Sequence, residues 1–394
     1  MRYARLLCIS DANNNKFYEM HECANGTFEA RYGRVGATAQ VRTYPMREWE
    51  SKRGEKLRKG YRDVTTLSVV ADDRPRYLPL ANPDVAALLA RLERAAQTSI
   101  GTNYDVQVAA VTQPMLDTAA ATLARLAALT TALRFSPNAA NEALMDLYHT
   151  IPRKMANVAA NLVHDRDGLR ARLADEQDLL DALRTQVVLA APNDRPEPTE
   201  TLLDALGLTL TPASALQTSL VESYIPKPMR SRLRRVFAAR HAATADRFEA
   251  HVAAAADPSS GLFWHGSRTE NWLSIFRTGL VLNPTSAVIT GKMFGHGLYF
   301  ADTFEKSLGY TSLSGSRWTS GAEPTAFLAL FRVHTGRRMA VKAWKSDYTS
   351  YTRAQLPRRY DSLHAHGGVD LRHDEFIVYD EAQATLTYLV EVAL

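Results

Sequence analysis

Apolar and polar positions along this chain follow two different periods, and the changes between them mark three regions. From residue 1 to about 80, short runs alternate with period two, as in Thr27-Phe28-Glu29-Ala30-Arg31-Tyr32 before Gly33. That is the pattern of half-buried strands separated by turns. The Lys- and Arg-dense stretch 47–60 predicts one helix among them. From about 80 to 215 the period lengthens. Asn82-Pro83-Asp84 is a helix start signal, and Val85, Leu88, Leu89 and Leu92 follow at i, i+3, i+4 and i+7. Leu123, Leu126, Leu129 and Leu133 predict a second stripe. Residues 141–148 and 169–188 predict further helices, the latter with Leu169, Leu173, Leu180, Leu183 and Val187 on one face. Such stripes bury against one another, so this region predicts a helical bundle. Residues 191–198, rich in Pro, Asn and Asp, read as a loop. Strand patterns return at 326–333, 339–342, 376–379 and 386–394, and there is no internal repeat or long low-complexity tract.

A chain of 394 residues has room for two or three domains, each with its own core. Its 46% hydrophobic and 23% charged residues put it in the globular range. Two cysteines, Cys8 and Cys23, with no CxxC, exclude a disulfide framework and a thiolate-rich zinc finger. They fit a reducing compartment. Two buried free thiols are the ordinary reading, with a zinc site that includes His21 as the alternative. The N-terminal apolar run is too short for a signal peptide, and no stretch approaches the length of a transmembrane helix. A soluble intracellular protein without a membrane partner is expected, nuclear in a eukaryote and cytoplasmic or nucleoid-associated in a bacterium. Residues 1–80 hold 15 Lys and Arg against 10 Asp and Glu, which accounts for the whole net charge of +5. A localised basic module suits a polyanion partner, and it equally suits a solubilising surface. Composition leaves both open.

Four segments carry the candidate chemistry: Phe263-Trp264-His265-Gly266-Ser267-Arg268, Gly295-His296-Gly297-Leu298-Tyr299-Phe300-Ala301-Asp302, Lys306-Ser307-Leu308-Gly309-Tyr310, and Asp374-Glu375-Phe376-Ile377-Val378-Tyr379-Asp380. Singly, each has a plain explanation: a core histidine, turn glycines, a core tyrosine. Glu375 is harder to dismiss. Strand alternation puts Glu375, Ile377 and Tyr379 on one face and Asp374, Phe376 and Val378 on the other. A carboxylate beside an apolar run is costly to bury without a purpose or a partner. His364, His366 and His373 lie near one another in sequence, but they read as a solvated loop, and no metal site is expected.

Taken together and in this order, the segments resemble the catalytic domain of the poly(ADP-ribose) polymerase family, from about residue 218 to the C-terminus. The resemblance implies an antiparallel two-sheet ADP-ribosyltransferase fold that uses NAD⁺ as substrate. It places the family's histidine–tyrosine–glutamate triad on His265, Tyr299 and Glu375. It further implies that His265 holds the adenosine-side ribose. Gly266 and Ser307 would hold the nicotinamide carboxamide, and Tyr310 and Tyr299 would flank its ring. Ser267 and Asn271 would complete the NAD⁺ site, with Lys306 and Met293 lining the acceptor side. The residue types suit that chemistry. An aromatic face attracts a planar cationic ring, and a fixed carboxylate stabilises an oxocarbenium-like transition state more than the ground state. Two positions depart from the family pattern. Val281 stands where DNA-dependent members carry an arginine, and Lys292 where they carry a tyrosine.

The upstream regions fit the same family. Arg31-Tyr32-Gly33-Arg34-Val35-Gly36 resembles the WGR signature with tyrosine in place of tryptophan, and 141–152 resembles the helical regulatory domain. The resemblance implies that Tyr32, Arg34, Lys52 and Arg53 serve DNA binding, with the arginine of the signature bridging to neighbouring domains. The expected protein is therefore multidomain α+β: a small antiparallel WGR-like module (1–80), an all-α regulatory bundle (81–217) and the transferase (218–394). Its expected function is DNA-break-stimulated transfer of ADP-ribose from NAD⁺ to protein acceptors, itself included, as polymer. The partners would be DNA ends or nicks and acceptor proteins. The alternatives are a mono-ADP-ribosyltransferase, a modifier of nucleic-acid ends, and a DNA-end-binding scaffold with an inactive NAD-binding domain.

Overall fold

The computed structural model describes residues 1–68, 76–190, 198–282, 293–311 and 324–393. The expected loop at 191–197 and the departure at Lys292 lie outside them. The chain falls into two compact units, residues 1–74 with 100–191 and residues 75–99 with 192–394.

The first unit opens with strands β1 (Tyr3–Ser10), β2 (Asn14–Glu22), β3 (Thr27–Arg34) and β4 (Gln40–Pro45). Helix α1 (Trp49–Arg58) and the short β5 (Arg62–Asp63) follow. They form one antiparallel sheet in the order β4-β3-β2-β1-β5. Alternation puts Ala4, Leu6, Tyr18, Met20, Phe28 and Ala30 on one face, where Trp49 of α1 seals them. The basic helix α1 is therefore the lid of this small core. Cys8 and Cys23 are free thiols. Among the described residues they do not join His21 in a metal-holding cluster.

Helix α2 (Pro83–Asn103) begins in the second unit and ends in the first, with the Asn82 side chain accepting from the Asp84 and Val85 amides as predicted. Three further helices complete the first unit: α3 (Gln113–Thr131), α4 (Pro137–Thr150) and α5 (Arg166–Leu189). Ser136 and Asp165 cap the last two through the amides of Ala139 and Gly168. The predicted stripes pack inward, except that α3 stops at Thr131 and leaves Leu133 fully exposed. Sheet and helices share buried polar contacts. Asn15, wholly buried, donates to the carbonyls of Arg153 and Met155, and Asn13 accepts from the Val158 amide at 2.9 Å. Arg153 is buried against Glu176 at 3.3 Å, and its guanidinium lies over the Tyr104 ring. Such a pair adds little net stability but makes losing either partner expensive.

The second unit continues with α6 (Leu202–Leu206), β6 (Leu208–Pro212), α7 (Ala215–Ser223), β7 (Leu233–His241), α8 (Ala242–Ala254), β8 (Ser260–Gly266) and α9 (Trp272–Thr278). It ends with β9 (Leu298–Phe300), α10 (Phe304–Leu308), β10 (Thr325–His334), β11 (Arg338–Val341), β12 (Ser362–Ala365), β13 (Glu375–Val378) and β14 (Ala384–Ala393). One sheet runs β6-β7-β14-β10-β8 and the other β11-β12-β13-β9. All pairs are antiparallel except β11 with β12, which departs from the expected purely antiparallel fold. Edge strand β6 begins ten residues before the expected boundary at 218. The start of α2 is also tied to this unit: Arg91 donates to Glu391 at 2.7 Å and to Thr325. No described helix is long and apolar enough to cross a membrane.

Candidate active site

The site forms where the two sheets of the second unit meet. Trp264 on β8 and Ala301 just past β9 exchange backbone hydrogen bonds, Trp264 N to Ala301 O at 2.7 Å and Ala301 N to Trp264 O at 3.0 Å. Trp264 is fully buried and donates its indole N–H to the Tyr224 carbonyl, so the bridge is anchored on both sides. Next along β8, His265 Nδ1 lies 3.1 Å from the Tyr299 carbonyl, which can only accept, so the proton sits on Nδ1. The ring packs edge-on against Phe331 and tilted against Phe300.

Tyr299 is held as tightly. Its hydroxyl donates to the Gly295 carbonyl at 2.9 Å and accepts from the Phe294 amide at 3.0 Å. Burial, with smaller contributions from the neighbouring Tyr379 and Glu375, raises its pKa well above the usual range, so it stays neutral. The glycines of this segment are needed for close approach. A Cβ on Gly297 would meet Ile377 at 2.2 Å, and one on Gly295, at φ +78°, would meet the Tyr351 backbone at 2.1 Å.

Glu375 opens β13, paired with Ala365 on β12, whose small side chain leaves the carboxylate room. Ile377 and Tyr379 pack with Tyr299, while Phe376 packs on Phe263 and His364 across the sheet, so the predicted alternation holds. Glu375 is buried, and its Oε1 lies 2.5 Å from Lys306 Nζ on α10. Its Oε2 is buried without a hydrogen-bond partner among the described residues. An ionised group with one oxygen left unpaired is costly, and such atoms mark functional sites.

Helix α10 supplies the other wall. The Ser307 carbonyl presses on Gly266 so closely that a Cβ there would lie 1.9 Å from it. Ser307 itself is buried, whereas Tyr310, one turn on, leaves 60% of its surface open. Crowding by protein and then the Glu375 charge raise the Tyr310 pKa, which puts both at the same site. Asn271 donates to Ser267 at 3.3 Å. Met293, whose carbonyl accepts from the Trp344 indole, packs beside Tyr299. The structure thus gathers His265, Gly266, Tyr299, Lys306, Ser307, Tyr310 and Glu375, with Ser267, Asn271 and Met293 around them. Val281 is 38% exposed. The signal for the bridge at Ala301 was not visible in sequence, because backbone pairing leaves no residue-type signature.

The basic module sorts its candidates differently. Tyr32 stacks on Tyr18 at 5.8 Å, Lys56 lies over both rings, and Lys52 lies 4.6 Å over Tyr44. Arg42 shares a face of the sheet with Tyr44 and Tyr32 and extends this basic, aromatic patch. Arg42 and Lys56 were not singled out from sequence, although Lys52 and Lys56 are spaced i, i+4 on α1. Arg53 pairs with Asp63 instead. Arg34 donates to both the carbonyl and the side chain of Asn13, the residue that accepts from Val158. The three histidines expected in a solvated loop do not share one. His364 lies on β12 with its ring stacked on Phe376, and His366 and Asp374 lie beside it.

Residues 214–394 match the family described as the poly(ADP-ribose) polymerase catalytic domain. Those residues belong to that family of catalytic domains. It is 32% identical to poly [ADP-ribose] polymerase 1 of Danio rerio over 34% of its own length and 15% of that protein. It is 32% identical to poly [ADP-ribose] polymerase 2 of Homo sapiens over 33% of its length and 26% of that protein. An uncharacterized protein 101L of Invertebrate iridescent virus 6 is 29% identical over 47% of this chain and 77% of its own. The polymerase catalytic domain is an NAD⁺ ADP-ribosyltransferase domain, and the candidate site lies within the residues that match it.

Because the atom nearest a Gly266 Cβ is backbone, no rotamer change relieves the clash. Gly266→Ala is expected to destabilise the second unit by about 1–3 kcal/mol. Gly309→Ala, whose nearest atom would be 3.4 Å away, is expected to change stability little. Thermal unfolding of both variants checks the pair.

Proposed function

We propose that the chain transfers ADP-ribose from NAD⁺ to protein acceptors, itself included, building polymer when broken DNA is bound. The observation that carries the reading is Glu375: a buried carboxylate with one oxygen on Lys306 and the other without a hydrogen-bond partner among the described residues.

NAD⁺ is substrate here, and the cradle suits it. Gly266 offers backbone with no side chain in the way, Ser307 a hydroxyl and Tyr310 an open ring face. In the reaction the C1–N bond of the nicotinamide ribose breaks, and its electron pair leaves with nicotinamide, which becomes neutral. Positive charge then grows on the ribose, where the Glu375 carboxylate stabilises it. The acceptor hydroxyl forms the new C1–O bond while its proton moves toward Glu375 Oε2. Lys306, paired through Oε1, holds the carboxylate in place. His265, fixed by the Tyr299 carbonyl, is set to hold the adenosine-side ribose rather than to move protons.

Glu375→Gln keeps the shape and removes the charge. It is expected to lower transfer at least about a hundredfold, with NAD⁺ binding retained. Nicotinamide release and product length on a gel, read beside NAD⁺ binding, check this; unchanged polymer would overturn the role of Glu375.

For DNA, the patch of Tyr32, Arg42, Lys52 and Lys56 is the proposed contact, and Arg34 and Asn13 the proposed link from sheet to helices. Removing residues 1–80 would strip Asn13 and Asn15 from the α4–α5 connection they bond, so point variants are the cleaner test. Arg42→Ala with Lys52→Ala is expected to weaken DNA binding and to reduce the salt slope by about 2. A slope equal to that of the unaltered chain would move the site elsewhere.

Regulation is proposed to run through the bundle. A fragment beginning at 218 would cut α7 and discard β6, so the full chain is the object to test. Amide exchange in α3–α5 is expected to quicken when nicked DNA is added. Unchanged protection there would make the bundle a spacer.

A further inference from the structure

We propose that His364, His366 and Asp374 form a divalent transition-metal site, of the kind that takes Zn²⁺, on the reverse face of the strand that carries Glu375. The register of β12 and β13 brings them together. His364 stands opposite Phe376 and Ala365 opposite Glu375, so the next step places His366 opposite Asp374. Side chains two apart share a face, which gathers His364, His366, Asp374 and Phe376 on one side and leaves Glu375 on the other.

One ligand atom from each of the three lies within 4.8 Å of the other two. Asp374 Oδ2 is 2.5 Å from His364 Nε2 and 3.5 Å from His366 Nδ1. The imidazole rings lie 4.0 Å apart, centroid to centroid. Tetrahedral ligands about 2.0–2.1 Å from a zinc ion sit roughly 3.3 Å from one another. Inserting the ion therefore asks the His364–Asp374 contact to open by less than an ångström. Two imidazoles and one carboxylate are a borderline-soft set, which favours Zn²⁺ over Ca²⁺ or Mg²⁺.

The groups are also pre-positioned. Asp374 Oδ1 accepts from the Gly367 amide at 2.8 Å, which aims Oδ2 at the histidines. The His364 ring is stacked on Phe376 at 4.3 Å, and the backbone amide of His366 is fixed to the Val341 carbonyl. The plain alternative is a His364–Asp374 ion pair with His366 as a bystander, and it predicts no metal affinity. A bound ion would cross-link the two ends of the 366–373 connection and brace β13 from behind.

The test uses the full chain, stripped with a chelator and titrated with Zn²⁺, with Co²⁺ as a spectroscopic substitute. The expected result is one ion bound per chain, with the intense visible absorption of tetrahedral Co²⁺ and a rise in melting temperature on adding Zn²⁺. Asp374→Asn retains an oxygen for the Gly367 amide, and His366→Gln leaves the strand pairing intact. Each is expected to weaken binding at least tenfold, and the two together to abolish the Co²⁺ spectrum. Absence of binding to the unaltered chain, or affinity unchanged in both folded variants, would overturn the site. The readout is binding alone, so the outcome is independent of the transferase reading.

Discussion

The reciprocal backbone bond between Trp264 and Ala301 is the constraint on which the second unit depends. Two sheets of different topology need some point at which one is registered against the other, and this pair is that point. One residue beyond it on β8 stands His265; two residues before it on the β9 side stands Tyr299. The same register therefore fixes the His265–Tyr299 contact at 3.1 Å without any further device. Burial makes the bond firm, because opening it would strand two N–H and two C=O groups beside a fully buried indole.

On that frame the Glu375 carboxylate is held in an unfinished state. Lys306 and Glu375 are mostly buried, at 14% and 7% side-chain exposure, so removing either partner would leave a charge in a poor medium. Glu375 nonetheless keeps a second oxygen without a partner among the described residues. A purely structural ion pair in this position would be expected to satisfy both oxygens. The asymmetry fits a group whose second partner arrives with substrate and whose interaction strengthens as positive charge develops.

Much of this was legible in the sequence, and what was not has physical reasons. Element types followed from pattern, since β10 and β13 are short apolar runs and α4 and α5 carry helical stripes. The stripe through Leu133 failed at its end, because periodicity alone does not say where a helix stops. The residues that the order of the motifs singled out are ones that the fold brings together. The basic patch was half legible. Charge flagged the module, but the aromatic partners of Lys52 and Lys56 come from three strands and only pairing register brings them together. Arg53 and Arg34 look alike in sequence, yet Asp63 and Asn13 occupy them. The histidines at 364 and 366 were read as a solvated loop, although His-x-His alternation was itself a strand signal.

Parity along β13 is what separates the two faces of this site. Asp374 and Glu375 are chemically close and adjacent, yet one turns toward His364 and the other toward Lys306. A register slip of one residue would exchange them, placing an aspartate one methylene short of Lys306 and a glutamate among the histidines. The apolar residues of the strand forbid the slip, because Ile377 and Tyr379 belong to the core around Tyr299 while Phe376 packs on Phe263 and His364. Hydrophobic pairing thus sets which carboxylate faces the reactive space, and the polar chemistry on each face follows from a choice made by side chains that take no part in it.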